Sequence, residues 1–156
     1  MRPLIRMALV TALSTAGSLA IRDRAGAGRP ECAAPHLFED SKYKPGQIWE
    51  YKTRPGESAS RITILRVENA DKVGVIVHVG IAGVRLKSCG DTVQHAPFAK
   101  AALDESVTRQ SGTVTKMPAY EEGYNQWLAN CGGVYTIKIA EVLNVIDSML
   151  PAKTCD

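Results

Sequence analysis

The sequence predicts an α+β domain: an antiparallel sheet of about four to five strands with about three helices packed on one face. Two observations carry this prediction. Between residues 47 and 88, short segments alternate apolar and polar side chains or are rich in β-branched residues, and turn residues separate them. After residue 97, apolar side chains recur at helical spacing. Strands that precede helices along the chain are typical of an antiparallel sheet with helices on it.

The first four predicted strands are residues 47–53, 61–68, 73–81 and 83–88. In the first, Trp49 and Tyr51 share one face, and charged side chains occupy the other. The third is almost entirely apolar, which indicates a central strand covered on both faces. Because the four segments are close together in the chain, an antiparallel meander is the simplest topology.

Three helices and a fifth strand complete the prediction. The helices are residues 97–107, 120–129 and 140–150, and the strand is residues 134–138, with a polar loop at 108–116. Pro97 suits the first position of a helix, where its missing N–H would be unpaired anyway. Tyr120, Tyr124 and Trp127 follow one another at i, i+4 and i+7 and form an aromatic stripe. Pro151 ends the last helix.

The first twenty residues are typical of a secretory signal peptide. Arg2 and Arg6 precede a short apolar segment, and Ser18 and Ala20 are small residues where a signal peptidase cleaves. An uncleaved membrane anchor is the alternative. Cleavage would lower the formal charge from +3 to +1 by removing two arginines. The predicted organisation is a signal peptide at 1–20, a flexible lead-in at 21–46 and one α+β domain at 47–156, with no membrane span after cleavage.

Four cysteines in an exported chain predict two disulfides. The cysteines are Cys32, Cys89, Cys131 and Cys155, for which three pairings are possible. Cys89 and Cys131 each precede a glycine at the end of a predicted element, which allows the backbone to turn there. This favours Cys89–Cys131, with Cys32–Cys155 as the remaining pair. No two cysteines have C-x-x-C spacing, which argues against zinc knuckles and thioredoxin-like chemistry.

No motif in the sequence assigns a catalytic group. The nucleophile elbow G-x-S-x-G and the zinc motif H-E-x-x-H are both absent. His36, His78 and His95 are far apart in the sequence and are interpreted as structural, although three histidines could meet in the fold to hold a metal. The nearly neutral charge argues against nucleic-acid binding, which needs a basic stripe. We therefore predict no catalytic residue, metal site, cofactor or nucleic-acid partner.

Two groups of side chains are candidate binding sites. The first is a charged face made of Glu50, Lys52 and Arg54, extended by Arg85 and Lys87 if their strands share a sheet face. The second is the aromatic stripe defined above. Arginine on a fixed strand can hold a partner's carboxylate through two hydrogen bonds. The alternatives are a solvated sheet face and an aromatic stripe that belongs to the core.

Three segments of the chain together resemble a known family. They are YKPGQIWEYKTRPGE at 43–57, EEGYNQW at 121–127 and GGVYTIKIAE at 132–141. The family they resemble consists of small bacterial proteins of unknown function, and the likeness spans residues 43–147. The resemblance implies no activity and no site residues. It does imply a bacterial source, so that the exported protein would be periplasmic or secreted.

The sequence favours an exported, non-enzymatic protein that binds a protein partner, such as an inhibitor or immunity-type protein against a toxin or hydrolase. One alternative is a small periplasmic hydrolase whose groups meet only in the fold. Another is a structural envelope protein. A pocket with His78 or His95 beside a carboxylate would favour the enzyme. An exposed patch with aromatic and arginine anchors would favour the binding protein.

Overall fold

The computed structural model describes residues 32–155, and six antiparallel strands form one sheet in that part of the chain. The strands are β1 (His36–Leu37), β2 (Gln47–Tyr51), β3 (Arg61–Ala70), β4 (Gly74–Ala82), β5 (Thr92–Ala99) and β6 (Val107–Thr113). The helices are α1 (Lys100–Ser106), α2 (Glu121–Ala129) and α3 (Ile139–Met149). The sheet order is β5-β4-β3-β2-β6, and β1 pairs with the end of β3. The predicted α+β class is confirmed.

The main hydrophobic core lies between one face of the sheet and helices α1 and α3. Val77 and Val79 of β4 belong to it, as do Leu103 of α1 and Leu143 of α3. Helix α2 lies on the opposite face, where it contacts His78. Helices therefore cover both faces, whereas the sequence predicted one covered face. No helix within residues 32–155 has the length and apolar character needed to cross a membrane.

The predicted strand at residues 83–88 is a loop. Val84 and Leu86 are buried, with 3% and 9% of their surfaces exposed, while Arg85 between them is exposed. The Arg85 N–H donates to the Glu57 carboxylate at 2.7 Å. The apolar and polar residues alternate because one side of the loop is buried. The Val84 and Leu86 N–H groups donate to carbonyls within the same loop, those of Asp91 and Gly90, and not to a neighbouring strand.

Residues 92–99, which we placed before and inside the first helix, form strand β5. The Pro97 carbonyl accepts a hydrogen bond from the Tyr135 N–H at 2.9 Å. The nitrogen and carbonyl of a strand residue point the same way, so the Pro97 nitrogen faces away from β4. Proline therefore removes no hydrogen bond from the β4–β5 ladder. The helix begins three residues later than predicted, at Lys100.

Strand β6 occupies most of the predicted polar loop at 108–116. It pairs with β2 at the edge of the sheet, and its side chains are mostly exposed. An exposed edge strand needs no apolar alternation, which explains why the sequence pattern missed it. The predicted strand at 134–138 contributes only an isolated bridge between Tyr135 and Phe98.

Part of the predicted lead-in belongs to the folded unit. Strand β1 pairs with β3, and Tyr43 is fully buried. The Tyr43 hydroxyl donates to Asp104 at 2.7 Å, and its backbone N–H donates to Asp40 at 2.9 Å. Residues 36–46, which the sequence placed in the flexible lead-in, therefore contribute a strand and a buried tyrosine to this unit. The predicted signal peptide and the rest of the lead-in, to residue 31, lie outside the described residues.

Two disulfides form, as predicted, but the predicted pairing of Cys89 with Cys131 and of Cys32 with Cys155 is wrong. The bonds are Cys32–Cys131 and Cys89–Cys155, with Cα atoms 5.3 and 5.5 Å apart. Cys131 follows α2 on one side of the sheet, whereas Cys89 lies near the chain that follows α3 on the other side, so the two cannot meet. Both residues adopt positive φ angles, 68° at Cys89 and 49° at Cys131. The two disulfides fit an oxidising compartment.

Candidate functional site

Three hydrogen-bonded side chains lie on the face of the sheet that α2 covers. We call Glu68 of β3, His78 of β4 and His95 of β5 the Glu–His–His chain. Glu68 Oε2 lies 3.1 Å from His78 Nε2, and His78 Nδ1 lies 2.8 Å from His95 Nε2. Glu68 and His78 are fully buried, while His95 is partly exposed. The planes of the two imidazoles differ by 18°, so the chain connects a buried carboxylate to the surface through nearly parallel rings.

A β-bulge in β3 places Glu68 on this face. The register of the β3–β4 pair shifts between Ile64 and Arg66, which makes Leu65 an extra residue. An extra residue reverses the alternation of side chains beyond it. Ile64 therefore packs in the core, while Glu68, four residues later, faces His78 on the opposite side.

A second register shift, between β4 and β5, lies beside His95. Val79 pairs with Ala96, whereas Ile81 pairs with Val93, so β5 holds one extra residue in this interval. Ala96 belongs to the core, and its neighbour His95 consequently faces α2. Both histidines thus reach the same face from adjacent strands.

Two further side chains hold the Glu68 carboxylate in place. Arg66 Nε donates to Glu68 Oε1 at 2.5 Å, and the Tyr124 hydroxyl donates to the same oxygen at 2.9 Å. Burial and the hydrogen bond to Glu68 raise the pKa of Tyr124, which keeps its hydroxyl protonated as a donor. These bonds occupy Oε1 and leave Oε2 for His78, so the orientation of the carboxylate is set by its neighbours.

The hydrogen bonds assign the protons on the two histidines. An ionised carboxylate only accepts, so His78 Nε2–H donates to Glu68. Nδ1 of a neutral His78 then accepts, and His95 Nε2–H must be the donor. This arrangement leaves a lone pair on His95 Nδ1.

Burial keeps both histidines uncharged near neutral pH. Desolvation, with a smaller contribution from the neighbouring His95, lowers the pKa of His78 to about 4. Desolvation also lowers the pKa of His95. A neutral His95 can accept a proton at Nδ1, which is the property required of a general base.

The depressed pKa of His78 predicts that the protein loses stability in acid. Between pH 6.5 and about pH 4, the unfolded His78 binds a proton that the folded one does not, so the free energy of unfolding falls as pH falls. The loss is expected to reach about 3 kcal/mol. Urea unfolding at about pH 7 and about pH 4.5 measures it.

The His78→Gln variant should show a smaller loss over this interval than the natural chain. The His36→Gln variant is the control, since His36 is exposed in β1. An equal pH dependence in the natural chain and His78→Gln would contradict the assignment.

His95 opens into a surface groove of about 520 Å³ between α2 and the segment that follows it. Gln126, Trp127 and Asn130 line it from the α2 side, and Tyr135 lines it from the segment. None of the described residues that line this groove is acidic or basic apart from the neutral His95. The groove therefore offers an uncharged surface beside a proton acceptor.

Gly123 keeps the approach to His95 open. A Cβ atom at this position would lie 2.9 Å from His95 Cβ and 3.7 Å from Nδ1. Nδ1 has no hydrogen-bond partner among residues 32–155, and no buried side-chain nitrogen or oxygen in that range lacks one. It follows that this nitrogen is not fully buried.

The predicted aromatic stripe covers the Glu–His–His chain. The rings of Tyr124 and Trp127 lie 5.3 and 4.9 Å from the His78 ring, both edge to face. The ring of Tyr120 packs on Tyr124 at 6.4 Å. Trp127 Nε1–H donates to the Gly133 carbonyl at 2.8 Å, which holds the indole in place. The stripe lies between the sheet and the groove, outside the main core.

The predicted charged face does not form a single surface. Glu50 pairs with Arg109 of β6 at 2.6 Å and with Arg61 of β3 at 3.3 Å. Lys52 is exposed, and its Nζ lies 3.4 Å from the Glu105 carbonyl. The pairing of β2 with β6, which the sequence pattern did not reveal, supplies the main partner of Glu50.

Arg54 is held in a network of ion pairs, which we call the Arg54 network. Its guanidinium donates to both carboxylate oxygens of Glu57, at 2.9 and 2.5 Å, and to Asp147 at 2.6 Å. Only 12% of its side chain is exposed. The pKa of Glu57 is lowered, mainly because Arg54 donates hydrogen bonds to its carboxylate. Arg85 and Lys87 are exposed in the adjoining loop, and their backbone N–H groups donate to Glu57 and Asp147.

Sequence reasoning missed Glu68. The residue sits at the end of a strand, where a carboxylate is usually solvated, and simple alternation assigns it to the wrong face. One signal was available: Arg66, Glu68 and His78 are polar residues within two apolar strands joined by a short turn. A hairpin in that register places Arg66 opposite His78.

Within residues 32–155, no group of three His, Cys, Asp or Glu side chains is arranged to hold a metal ion. The Glu–His–His chain is linear, so its nitrogens and oxygens do not converge on one point. Comparisons of the sequence with protein-family models and with curated proteins, and of the fold with solved structures, found no match.

Proposed function

We propose that the protein is an exported hydrolase in which His95 is the general base. The observation that carries the proposal is the Glu–His–His chain, which begins at a buried carboxylate and ends at an open imidazole nitrogen in a groove. Glu68 lies where it can stabilise the positive charge that arises when His95 takes a proton. A carboxylate and a histidine have these roles in many hydrolases that lack sequence similarity.

Water is the proposed nucleophile, since the groove contains no serine or cysteine hydroxyl or thiol among its described lining residues. His95 Nδ1 removes a proton from the water as its oxygen attacks the substrate carbonyl. The imidazolium then donates that proton to the leaving oxygen. His78 and Glu68 hold the His95 ring in one orientation throughout.

A carboxylic ester is the bond that these groups fit best. Hydrolysis of a glycosidic bond usually requires two carboxyl groups that flank the bond. Glu68 is fully buried, and no other carboxylate is among the described residues that line the groove. An ester needs only an activated water and a proton for its leaving alkoxide, both of which His95 can supply.

The sequence favoured a binding protein, and Arg54 and Arg85 were among its candidate anchors. The Arg54 network occupies one of them, so we give preference to the hydrolase. Binding to a protein partner stays a prediction, and so does a structural role in the cell envelope. The predicted signal peptide and the disulfides support a periplasmic or secreted location.

The His95→Gln variant is expected to lose ester hydrolysis by a factor of about 10²–10⁴, because the general base is removed. The measurement is release of p-nitrophenol from its acetate and butyrate esters by the exported chain with both disulfides formed. p-Nitrophenyl glycosides and phosphates are tested in parallel. His36→Gln is the matched control and should retain full activity, since His36 is exposed and outside the groove.

Ester hydrolysis that is equal in His95→Gln and the natural chain would refute the proposal. So would the absence of ester hydrolysis by the natural chain. Activity on the glycosides or phosphates without activity on the esters would show that the protein hydrolyses another type of bond.

A further inference from the structure

We propose that the groove beside His95 binds a neutral saccharide and that the scissile ester joins an acyl group to a sugar hydroxyl. The reaction rests on the proposed function, whereas the saccharide binding does not require it. Three features of the groove support this ligand: its lack of charge, a fixed aromatic ring, and free amide groups beside that ring.

The absence of charge favours a neutral ligand. Among the described lining residues there is no lysine, arginine or carboxylate, and burial lowers the pKa of His95. A phosphate, sulfate or uronic acid would enter such a groove without a cation to pair with it. A polyhydroxylated, uncharged molecule has no charge that must be desolvated when it binds.

Trp127 provides a rigid aromatic ring at the groove. Its Nε1–H is bound to the Gly133 carbonyl at 2.8 Å, and a Cβ atom at Gly132 would overlap its Cδ1 atom. The Cys32–Cys131 disulfide anchors the chain at the end of α2, next to this contact. A ring fixed in this way loses little conformational entropy when the apolar face of a sugar packs on it.

Two residues with side-chain amides line the groove together with Trp127. Asn130 Nδ2 donates to the backbone carbonyl of Gln126 at 2.8 Å, which leaves the Asn130 Oδ1 atom as an acceptor. The Gln126 side chain is exposed and offers both a donor and an acceptor. Tyr135 lines the opposite wall. Vicinal sugar hydroxyls both donate and accept hydrogen bonds, so they can pair with the donors and acceptors of these amide side chains.

The reaction on an O-acylated sugar balances with water as the only co-reactant. The water oxygen forms a bond to the acyl carbon, and the bond between that carbon and the sugar oxygen breaks. The proton that His95 takes from water passes to the sugar oxygen. The products are a carboxylic acid and a free sugar hydroxyl, and nothing is oxidised or reduced.

Titration of the ¹⁵N-labelled exported chain with cellotetraose and with tetra-N-acetylchitotetraose, both uncharged, tests the binding by NMR. These probes contain no sugar ester for His95 to cleave, so the result does not depend on catalysis. The chain has two tryptophans, and Trp49 is buried in the core. We expect a saturable shift of the Trp127 indole N–H with at least one probe and no shift of the Trp49 indole. Trigalacturonate should produce no saturable shift.

Gln126→Ala should weaken the Trp127 response, and Asn125→Ala is its control. Asn125 is the exposed neighbour on α2 and does not line the groove. Acetate release from acetylated cellobiose should also exceed release from ethyl acetate at equal ester concentration. That excess should disappear in Gln126→Ala but persist in Asn125→Ala.

Ester hydrolysis without any response of Trp127 to the neutral probes would overturn this inference and leave the proposed function intact. A Trp127 response to the neutral probes without ester hydrolysis would refute the proposed reaction and would leave the groove as a saccharide-binding site. Trigalacturonate that binds as well as the neutral probes would also overturn the inference.

Discussion

The Arg54→Met substitution is expected to lower the free energy of unfolding by about 3–5 kcal/mol relative to the natural chain. Methionine keeps much of the apolar volume of arginine but leaves the carboxylates of Glu57 and Asp147 without their cation. These side chains are only 2% and 10% exposed, so water cannot replace the lost hydrogen bonds. The sequence alone placed Arg54 on a charged sheet face, whereas only 12% of its side chain is exposed in the fold.

Urea unfolding of the oxidised chain near neutral pH measures this effect. Arg109→Met is the matched control, because Arg109 also pairs with a glutamate, Glu50, but 70% of its side chain is exposed. Exposed pairs of this kind contribute less than about 1 kcal/mol. Equal losses in the two variants would contradict the structural role of the Arg54 network.

The Glu68→Gln variant is expected to lower kcat for ester hydrolysis by about 10³–10⁴, if the proposed function holds. Glutamine preserves the size of the side chain but removes the negative charge that stabilises a protonated His95. It also presents an amide N–H₂ group to donors that need an acceptor, Arg66 and Tyr124 among them. The orientation of His78, and through it of His95, then loses its support.

Activity across pH separates a charge effect from a loss of structure. Without the carboxylate, protonation of the histidines is harder, so the acidic limb of the kcat profile should move to lower pH in Glu68→Gln. Tyr124→Phe removes one donor and keeps the charge, and it should lower kcat much less. Glu39→Gln, at an exposed position, is the control and should match the natural chain. An unchanged kcat in folded Glu68→Gln would exclude Glu68 from the mechanism.

The β-bulge in β3 shows where pattern reasoning fails. The segment at 61–68 was recognised as a strand because β-branched residues dominate it, and the strand is present. Alternation then assigns Ile62, Ile64 and Glu68 to one face. The extra residue at Leu65 moves Glu68 to the other face, next to His78. The bulge is defined by the pairing of β3 with β4, so the residue pattern of β3 alone does not predict it.

The loop at 83–88 shows the converse error. Val84 and Leu86 alternate with charged residues as they would in a strand, because burial of one side produces the same pattern in a loop. What separates the two cases is the partner of the backbone N–H groups. Here the Arg85 and Lys87 N–H groups donate to the carboxylates of Glu57 and Asp147, which are distant in sequence. The Val84 and Leu86 N–H groups donate to the nearby Asp91 and Gly90 carbonyls, and no neighbouring strand is involved.

The sequence by itself determined the α+β class, the strands from 47 to 82, the helices α2 and α3, and the presence of two disulfides. These features depend on local periodicity and on the number of cysteines, both of which can be counted along the chain. The tertiary structure alone decided the disulfide pairing, the burial of Arg54 and the assembly of Glu68, His78 and His95. The assembly depends on register shifts in the sheet, and the disulfide pairing and the burial of Arg54 depend on where the helices and the chain after them lie. Such long-range contacts leave no periodic trace in the sequence.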